Sequence, residues 1–228
     1  MKIAYQGIEG SYSDSCAKKK YPGCETISCK TFDEVFTKAN ENENIRAIIP
    51  ESNKTTGNIG VEYLIFKYRL NICAEHFYPI HHHLLGLPGT KLGEIRNVHS
   101  HAQGLSQCSN FIKTNNLVEN VRADTAGSAK YISENKNKND AAIASKESAK
   151  IYNLDVLASD IADEKENVTR FLIFSKKIFQ PDYGKGKYIT SLLFRLKSKP
   201  AALYSALSGF AIQGVNLTKL QSYPEKNS

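Results

Sequence analysis

Apolar positions along the first 70 residues keep switching between two periods. Residues 2–5 and 46–49 are short, largely apolar stretches, 26–28 (Thr-Ile-Ser) resembles a strand, and a helix signal follows each of them, with helical apolar spacing over 59–67. The pattern predicts strands at these three places. It predicts helices from the turn Gly7-Ile8-Glu9-Gly10-Ser11-Tyr12-Ser13 to about residue 20, from Thr31 onward, and over 59–67. Ser11 or Ser13 is a suitable N-cap for the first helix. Thr31-Phe32-Asp33-Glu34 has the form of a capping box for the second. Pro50 is expected to end the third strand and open a polar loop to Gly57. Three strand–helix alternations favour a mostly parallel α/β layer.

The alternation continues. Strands are predicted over 70–79, 84–87, 97–99, 121–123, 141–144 and 170–174, and helices over 102–113, 128–134 and 146–151. The Asn/Lys-rich stretch 134–140 is expected to be a solvated loop. Residues 180–187 (Gln-Pro-Asp-Tyr-Gly-Lys-Gly-Lys) have linker composition. Beyond them the pattern predicts a strand over 188–196, a helix from Ser198-Lys199-Pro200 to about 213 closed by Gly214, and a strand over 215–222. One βαβ unit is small for an independent core, so the chain is expected to stop partway through a small domain.

Composition narrows the class. With 228 residues, 41% hydrophobic and 23% charged, the chain suits one substantial soluble domain plus a smaller piece. It has no apolar run of the ~20 residues that span a bilayer. The N-terminus runs straight into a strand, so the expected location is cytoplasmic. The five cysteines form no C-x-x-C pair and are expected to be free thiols. The net charge of +7 suits a small anionic metabolite steered to a positive cleft. Scattered lysines, without an Arg-rich tract or an aromatic RNA-binding signature, argue against nucleic acid.

The candidate chemistry lies in Asn167-Val168-Thr169-Arg170-Phe171. A Thr hydroxyl can protonate a leaving oxygen while a neighbouring guanidinium clamps a carboxylate in a bidentate pair. Ser11 and Ser13 lie at a helix start, where free N–H groups attract anions, and Thr125 sits between a strand and a helix in the same way. Asn53, Lys54 and Thr55 form a further turn of this kind. Lys54 is either a carboxylate counter-charge or a solvated lysine. His81-His82-His83 invites a metal reading, but successive side chains on a strand face opposite sides and do not converge. His99 and His101 share one face without further zinc ligands, and are expected to fix the start of the following helix. No metal or organic cofactor is expected.

Six motifs in order resemble the prephenate dehydratase family: Gly7-x-x-Gly10-Ser11-Tyr12-Ser13; Pro50…Asn53…Gly57; His99-Ser100-His101-x-Gln103-x-Leu105-x-Gln107-Cys108; Asp124-Thr125-Ala126-x-x-Ala129; Ala141-Ala142-Ile143-Ala144-Ser145; and Asn167-x-Thr169-Arg170-Phe171. Two positions depart from the family pattern. Ser52 stands where Glu is usual, and Lys54 where Ser is usual. The C-terminal piece resembles the start of an ACT regulatory domain through Lys199-Pro200-Ala201-Ala202-Leu203 and Gly214-Val215-Asn216-Leu217-Thr218-Lys219.

The resemblance implies a two-lobed fold like that of type 2 periplasmic binding proteins. Lobe one would comprise about 1–75 and 160–179, and lobe two 76–159. The catalytic domain would thus span 1–179, followed by a linker at 180–187 and an incomplete ACT-like α+β (ferredoxin-like) unit at 188–228. The implied reaction turns prephenate into phenylpyruvate, carbon dioxide and water in phenylalanine biosynthesis. Arogenate dehydratase and a non-catalytic small-anion binder on the same fold are the alternatives. Thr169 and Arg170 would be catalytic. Ser11, Ser13, Asn53, Lys54, Thr55, Gly57, Thr125, Ala126, Asn167 and Phe171 would contact substrate, with Asn167 either shaping a turn or orienting Thr169, and Phe171 either core or contact. A phenylalanine effector would meet Ala202, Leu203, Asn216 and Leu217, in a homo-oligomer (dimer or tetramer).

Overall fold

A computed structural model of the chain describes residues 1–55, 57–60, 62–182, 184 and 186–222. Two compact units are present, Met1–Lys187 and Tyr188–Ser228. In the first unit β1 (Lys2–Gln6), α1 (Tyr12–Lys20), β2 (Glu25–Cys29), α2 (Phe32–Glu41), β3 (Ile45–Asn53), β4 (Gly57–Asn58), α3 (Glu62–Tyr68) and β5 (Asn71–Pro79) build the first lobe. The second lobe holds β6 (His83–Gly86), β7 (Asn97–His101), α4 (Ala102–Ser106), α5 (Ser109–Thr114), β8 (Val118–Arg122), α6 (Thr125–Asn135), β9 (Asp140–Ala144), α7 (Lys146–Ile151) and β10 (Asp155–Ala158). The chain then returns to the first lobe as β11 (Val168–Ser175).

Each lobe is a sheet with helices on both faces; the first sheet contains two reversed strands, β11 and the short β4, and the second contains one, β6. The first runs β2-β1-β3-β11-β5, with β4 beside β3; β11 is antiparallel to both its neighbours. The second runs β10-β6-β9-β7-β8, with β6 antiparallel to β9 and β10. The layers are therefore mixed rather than simply parallel, because the crossover back from the second lobe inserts β11 between β3 and β5. Both crossovers, 80–82 and 159–167, lie side by side: the Ile80 N–H donates to the Asn167 carbonyl at 2.9 Å and the Ile161 N–H to the His82 carbonyl at 2.9 Å. This is the two-lobed architecture expected of type 2 periplasmic-binding-protein folds.

Alternation of side chains sorts the core onto the two faces of each sheet. On the first sheet, Ile49, Leu172 and Phe174 pack with Val35, Phe36 and Leu64 beneath α2 and α3, while Ile48, Phe171 and Ile173 pack with Cys16 and Ala17 of α1. On the second, Ala141 and Ile143 face Leu105 and Ile112, whereas Ala142 and Ala144 face Ala129, Ile132 and Ala149. The five cysteines are free thiols, and burial pushes Cys16 and Cys108 up to about 12.

Several local expectations are corrected. The third strand passes through Pro50 to Asn53: the register against β11 skips Glu51, and this bulge accommodates a residue without an N–H. The Thr31 hydroxyl accepts from the Glu34 N–H at 3.1 Å, but the Glu34 carboxylate reaches the Lys30 N–H at 2.8 Å, one residue before the cap. The helix expected over 102–113 is two helices. Asp163 ends the first and starts the second, since its N–H donates to the Gln107 carbonyl (2.8 Å) and its carboxylate accepts from the Ser109 hydroxyl (3.0 Å) and the Asn110 N–H (3.2 Å).

In the second unit, α8 (Ala202–Ile212) forms, and Gly214 follows it at φ +68°. The strands expected over 188–196 and 215–222 do not form. A strand requires a paired neighbour for its backbone groups, and none of the described residues of this unit supplies one. No residue of α8 is buried. No helix among the described residues is long and apolar enough to cross a membrane.

Gly10 joins the two lobes of the first unit. Its carbonyl accepts from the Ser145 and Ser148 hydroxyls, both at 2.9 Å, and its N–H donates to Asp14 at 3.0 Å. Its φ is +83°, and a Cβ there would stand 3.0 Å from Ile151 Cδ1 and 3.3 Å from the Ser148 Cα. Gly10→Ala is therefore expected to cost about 1–2 kcal/mol from the left-handed backbone alone, with the contact adding to it. Urea unfolding of the variant measures this, and an unchanged midpoint would reject the tight lobe contact.

Candidate functional site

Residues from both lobes and both crossovers meet in one hydrogen-bonded network. Thr169 and Asn53 are register partners on β11 and β3. The Asn53 side-chain amide donates to the Thr169 hydroxyl oxygen and to the Asn167 Oδ1, each at 2.8 Å. Its Oδ1 accepts from the Thr55 N–H (3.0 Å) and the Thr55 hydroxyl (2.6 Å). Gln107, at the break between α4 and α5, donates from Nε2 to the Thr55 hydroxyl at 2.6 Å and accepts from Asn167 Nδ2 at 3.1 Å. His82, on the first crossover, lies 2.8 Å from Gln107 Oε1 through Nε2 and 2.9 Å from the Tyr12 hydroxyl through Nδ1. Tyr12 also donates to the His81 carbonyl at 2.7 Å.

The network is neutral and mostly buried. Asn53, His82, Asn167 and Thr169 are each less than a tenth exposed. Burial pulls the His82 imidazole below its ordinary value, partly offset by its bond to Gln107, and burial pushes the Tyr12 phenol well up. Both groups therefore stand uncharged at neutral pH. Thr169 takes a proton from Asn53 into its oxygen lone pair, and among the described residues nothing accepts the Thr169 proton itself. That proton is thus available to a bound molecule, and the amide bond into its oxygen eases its departure.

Of the residues singled out from the sequence, Asn53, Thr55, Asn167 and Thr169 come together. Asn167 does more than shape a turn: its amide links Asn53 to Gln107. Gly57 pairs with Asn53 through β4 and holds the turn with φ +79°. Ser11 caps α1, accepting weakly from the Asp14 N–H at 3.4 Å, and reaches the network only through its neighbour Tyr12. Ser13 is buried on the first turn of α1. Thr125 and Ala126 open α6, which Asp124 caps through the Gly127 N–H. Among the described residues no hydrogen bond ties them to the network, and Ala126 is fully buried.

One expectation changes, and two open alternatives each take one of their forms. Arg170 does not face the network. Neighbouring residues of a strand point to opposite faces, and its guanidinium is held by Glu75 (Nε 2.8 Å, Nη2 2.7 Å) and Glu51 (Nη1 3.5 Å). Its fork is filled by the protein's own carboxylates. Phe171 is 1% exposed and belongs to the core against α1, so it supports the strand and makes no open contact surface. Lys54 pairs with Glu166 on the surface, while its N–H holds the Val168 carbonyl at 2.9 Å. In the second unit Ala202 and Leu203 start α8, and Asn216 and Leu217 lie in irregular chain after it.

The histidines separate by role. His81 pairs with Asp160 at 2.9 Å, and His83 Nδ1 accepts from the Asp160 N–H at 3.2 Å. His101 caps α4 through the Gln103 N–H, as the helix-start reading expected. His99 accepts from Arg122 Nε at 3.2 Å. Tyr12, His82 and Gln107 were not assigned to the site from sequence. Tyr12 and Gln107 sit inside the motifs themselves, whereas His82 could be found only once the crossover was placed.

The family model for prephenate dehydratase matches residues 3–178. Arogenate dehydratase 2 of Petunia hybrida is 41% identical over 225 residues, covering 98% of this chain and 57% of the relative. The chain spans less than two thirds of the plant relatives that it matches. A bifunctional N-acyl-homoserine lactone acylase/prephenate dehydratase of Komagataeibacter europaeus is 36% identical, over 97% of this chain and 79% of the relative. Among solved structures, GqqA, described as a novel type of quorum-quenching acylase, superposes with a TM-score of 0.83 at 32% identity, covering 100% of this chain and 83% of that one. Prephenate dehydratase of Arthrobacter aurescens in complex with L-Phe gives a TM-score of 0.83 at 24% identity, covering 98% and 76%. Together with the two-lobed fold, these matches show that the chain belongs to the prephenate dehydratase family.

Proposed function

We propose that the chain converts prephenate to phenylpyruvate, releasing carbon dioxide and water. The observation that carries this is the Thr169 hydroxyl, which receives a hydrogen bond from Asn53 and whose own proton meets no acceptor among the described residues. The C1 carboxylate leaves as carbon dioxide, and its electron pair moves through the ring as the aromatic system forms. The C4 hydroxyl departs with the Thr169 proton as water. The resulting alkoxide recovers a proton from solvent, so one proton is consumed per turnover. The starts of α1, with the Ser11 hydroxyl and the Ser13 N–H, and of α6, with Thr125, receive the substrate carboxylates. Residues 1–179 act as the catalytic part and 180–187 as the link to the second unit.

Arogenate is the second reading, favoured by the 41% identity to a plant arogenate dehydratase. The two substrates differ by one amino group. The purified protein is expected to turn over both acids without added metal, with the larger kcat/KM on prephenate. Following phenylpyruvate and phenylalanine as products separates them, and a larger kcat/KM on arogenate would reverse the assignment. Phenylalanine, bound by the Arthrobacter relative, is proposed as an effector of the second unit in a homo-oligomer, which titration calorimetry with and without residues 188–228 would test.

A further inference from the structure

One buried side chain of the network has no part in the proton transfer just described. His82 is 2% exposed and sits on the first crossover, with one ring nitrogen on Gln107 and the other on Tyr12. Its protonation follows from a single backbone group. The Thr55 N–H can only donate, so the Asn53 atom facing it is Oδ1 and the amide nitrogen faces Asn167 and Thr169. Asn167 must then present Oδ1 to Asn53 and Nδ2 to Gln107. Gln107 presents Oε1 to Asn167, and this same oxygen faces His82 Nε2. An oxygen already receiving one donor accepts a second without conflict only if His82 carries its proton on Nε2. Nδ1 is then an acceptor turned toward the Tyr12 hydroxyl, whose single proton it shares with the His81 carbonyl 2.7 Å from the same oxygen.

Building on the proposed dehydration, we propose that His82 is a positioning residue for the reaction. As an Nε2–H donor it locks the Gln107 amide. The Thr55 N–H already fixes the Asn53 amide and its bond into Thr169, so His82 acts at the Gln107 end of the network. With the donor on Nε2 removed, the Gln107 amide keeps only Asn167 and the Thr55 hydroxyl to hold it at the site. Tyr12 holds the ring from the other side, packing edge-on at 5.7 Å between centroids.

Three measurements test this. In the unsubstituted protein without substrate, nitrogen NMR of labelled histidines, with His82→Gln assigning the signal, is expected to show the Nε2–H tautomer at neutral pH. An Nδ1–H tautomer overturns the proposal, and this readout is independent of which acid the enzyme turns over. His82→Leu is expected to lower kcat about tenfold with KM within about twofold, the size set by losing one orienting hydrogen bond. His82→Gln keeps an N–H at the same reach and is expected to recover most of that loss. Combining His82→Leu with Gln107→Leu should cost no more than Gln107→Leu alone within about twofold, because residues acting through one partner are not additive. Additive losses, or equal losses for Leu and Gln at position 82, would overturn it. If His82→Leu does not fold, the tautomer and a Tyr12→Phe variant, expected to lose about two- to threefold in kcat by freeing the ring, decide the matter.

Discussion

Thr169→Ala is expected to lower kcat by about 10²-fold or more, the range for losing a positioned proton donor, while the fold stays intact. Among the described residues the hydroxyl bonds Asn53 alone, so its removal takes one partner from that buried amide and leaves a small void. That costs stability by about 1–2 kcal/mol and should leave the melting curve cooperative. Thr169→Ser restores an oxygen at the same place and is expected to recover most of the rate. Steady-state kinetics on the three proteins checks this. Near-normal turnover by the alanine variant would remove Thr169 from the chemistry.

Arg170→Met is expected to act on stability first. Glu51 is almost buried and Glu75 is partly so, and both lose their counter-charge when the guanidinium is removed. Stranding a nearly buried carboxylate costs about 2 kcal/mol here, moderated by the exposure of Glu75. Arg170→Lys is expected to fall between the two, because an ammonium cannot serve two carboxylates in the same fork geometry. Denaturant unfolding gives the cost directly. A clamp on substrate would show the opposite pattern, with unchanged unfolding and a large rise in KM.

The contrast between Thr169 and Arg170 shows what was legible in the sequence. The motif placed Thr169 and Asn167 together, and both meet Asn53, while the proton-donor role is what we propose for Thr169. The clamp assigned to Arg170 ignored the alternation of a strand, which sends adjacent side chains to opposite faces. Its carboxylate partners come from β3 and β5, whose places beside β11 depend on the crossover and not on any local pattern. The long apolar runs were readable because burial of a strand leaves its mark residue by residue. The break between α4 and α5 was not, since Asp163 causes it from 54 residues away. Pro50 looked like a strand end, and the bulge at Glu51 that tolerates it exists only against β11. In the second unit the residues at 188–196 and 215–222 have strand composition but form no ladder among the described residues, since composition alone does not make one. Gln107 and His82 entered the site only through long-range placement: one sits at a helix break, the other on a crossover.

The most direct test of the account is the structure of the Thr169→Val protein with prephenate bound, since this nearly isosteric change removes the hydroxyl and slows turnover. The ring should lie between the lobes, its C4 hydroxyl oxygen within about 3.2 Å of the point that the Thr169 Oγ1 occupies in the unsubstituted protein, and its carboxylates toward the starts of α1 and α6. A ring whose hydroxyl points away from that position, or a substrate bound on the Arg170 face of β11, would contradict it.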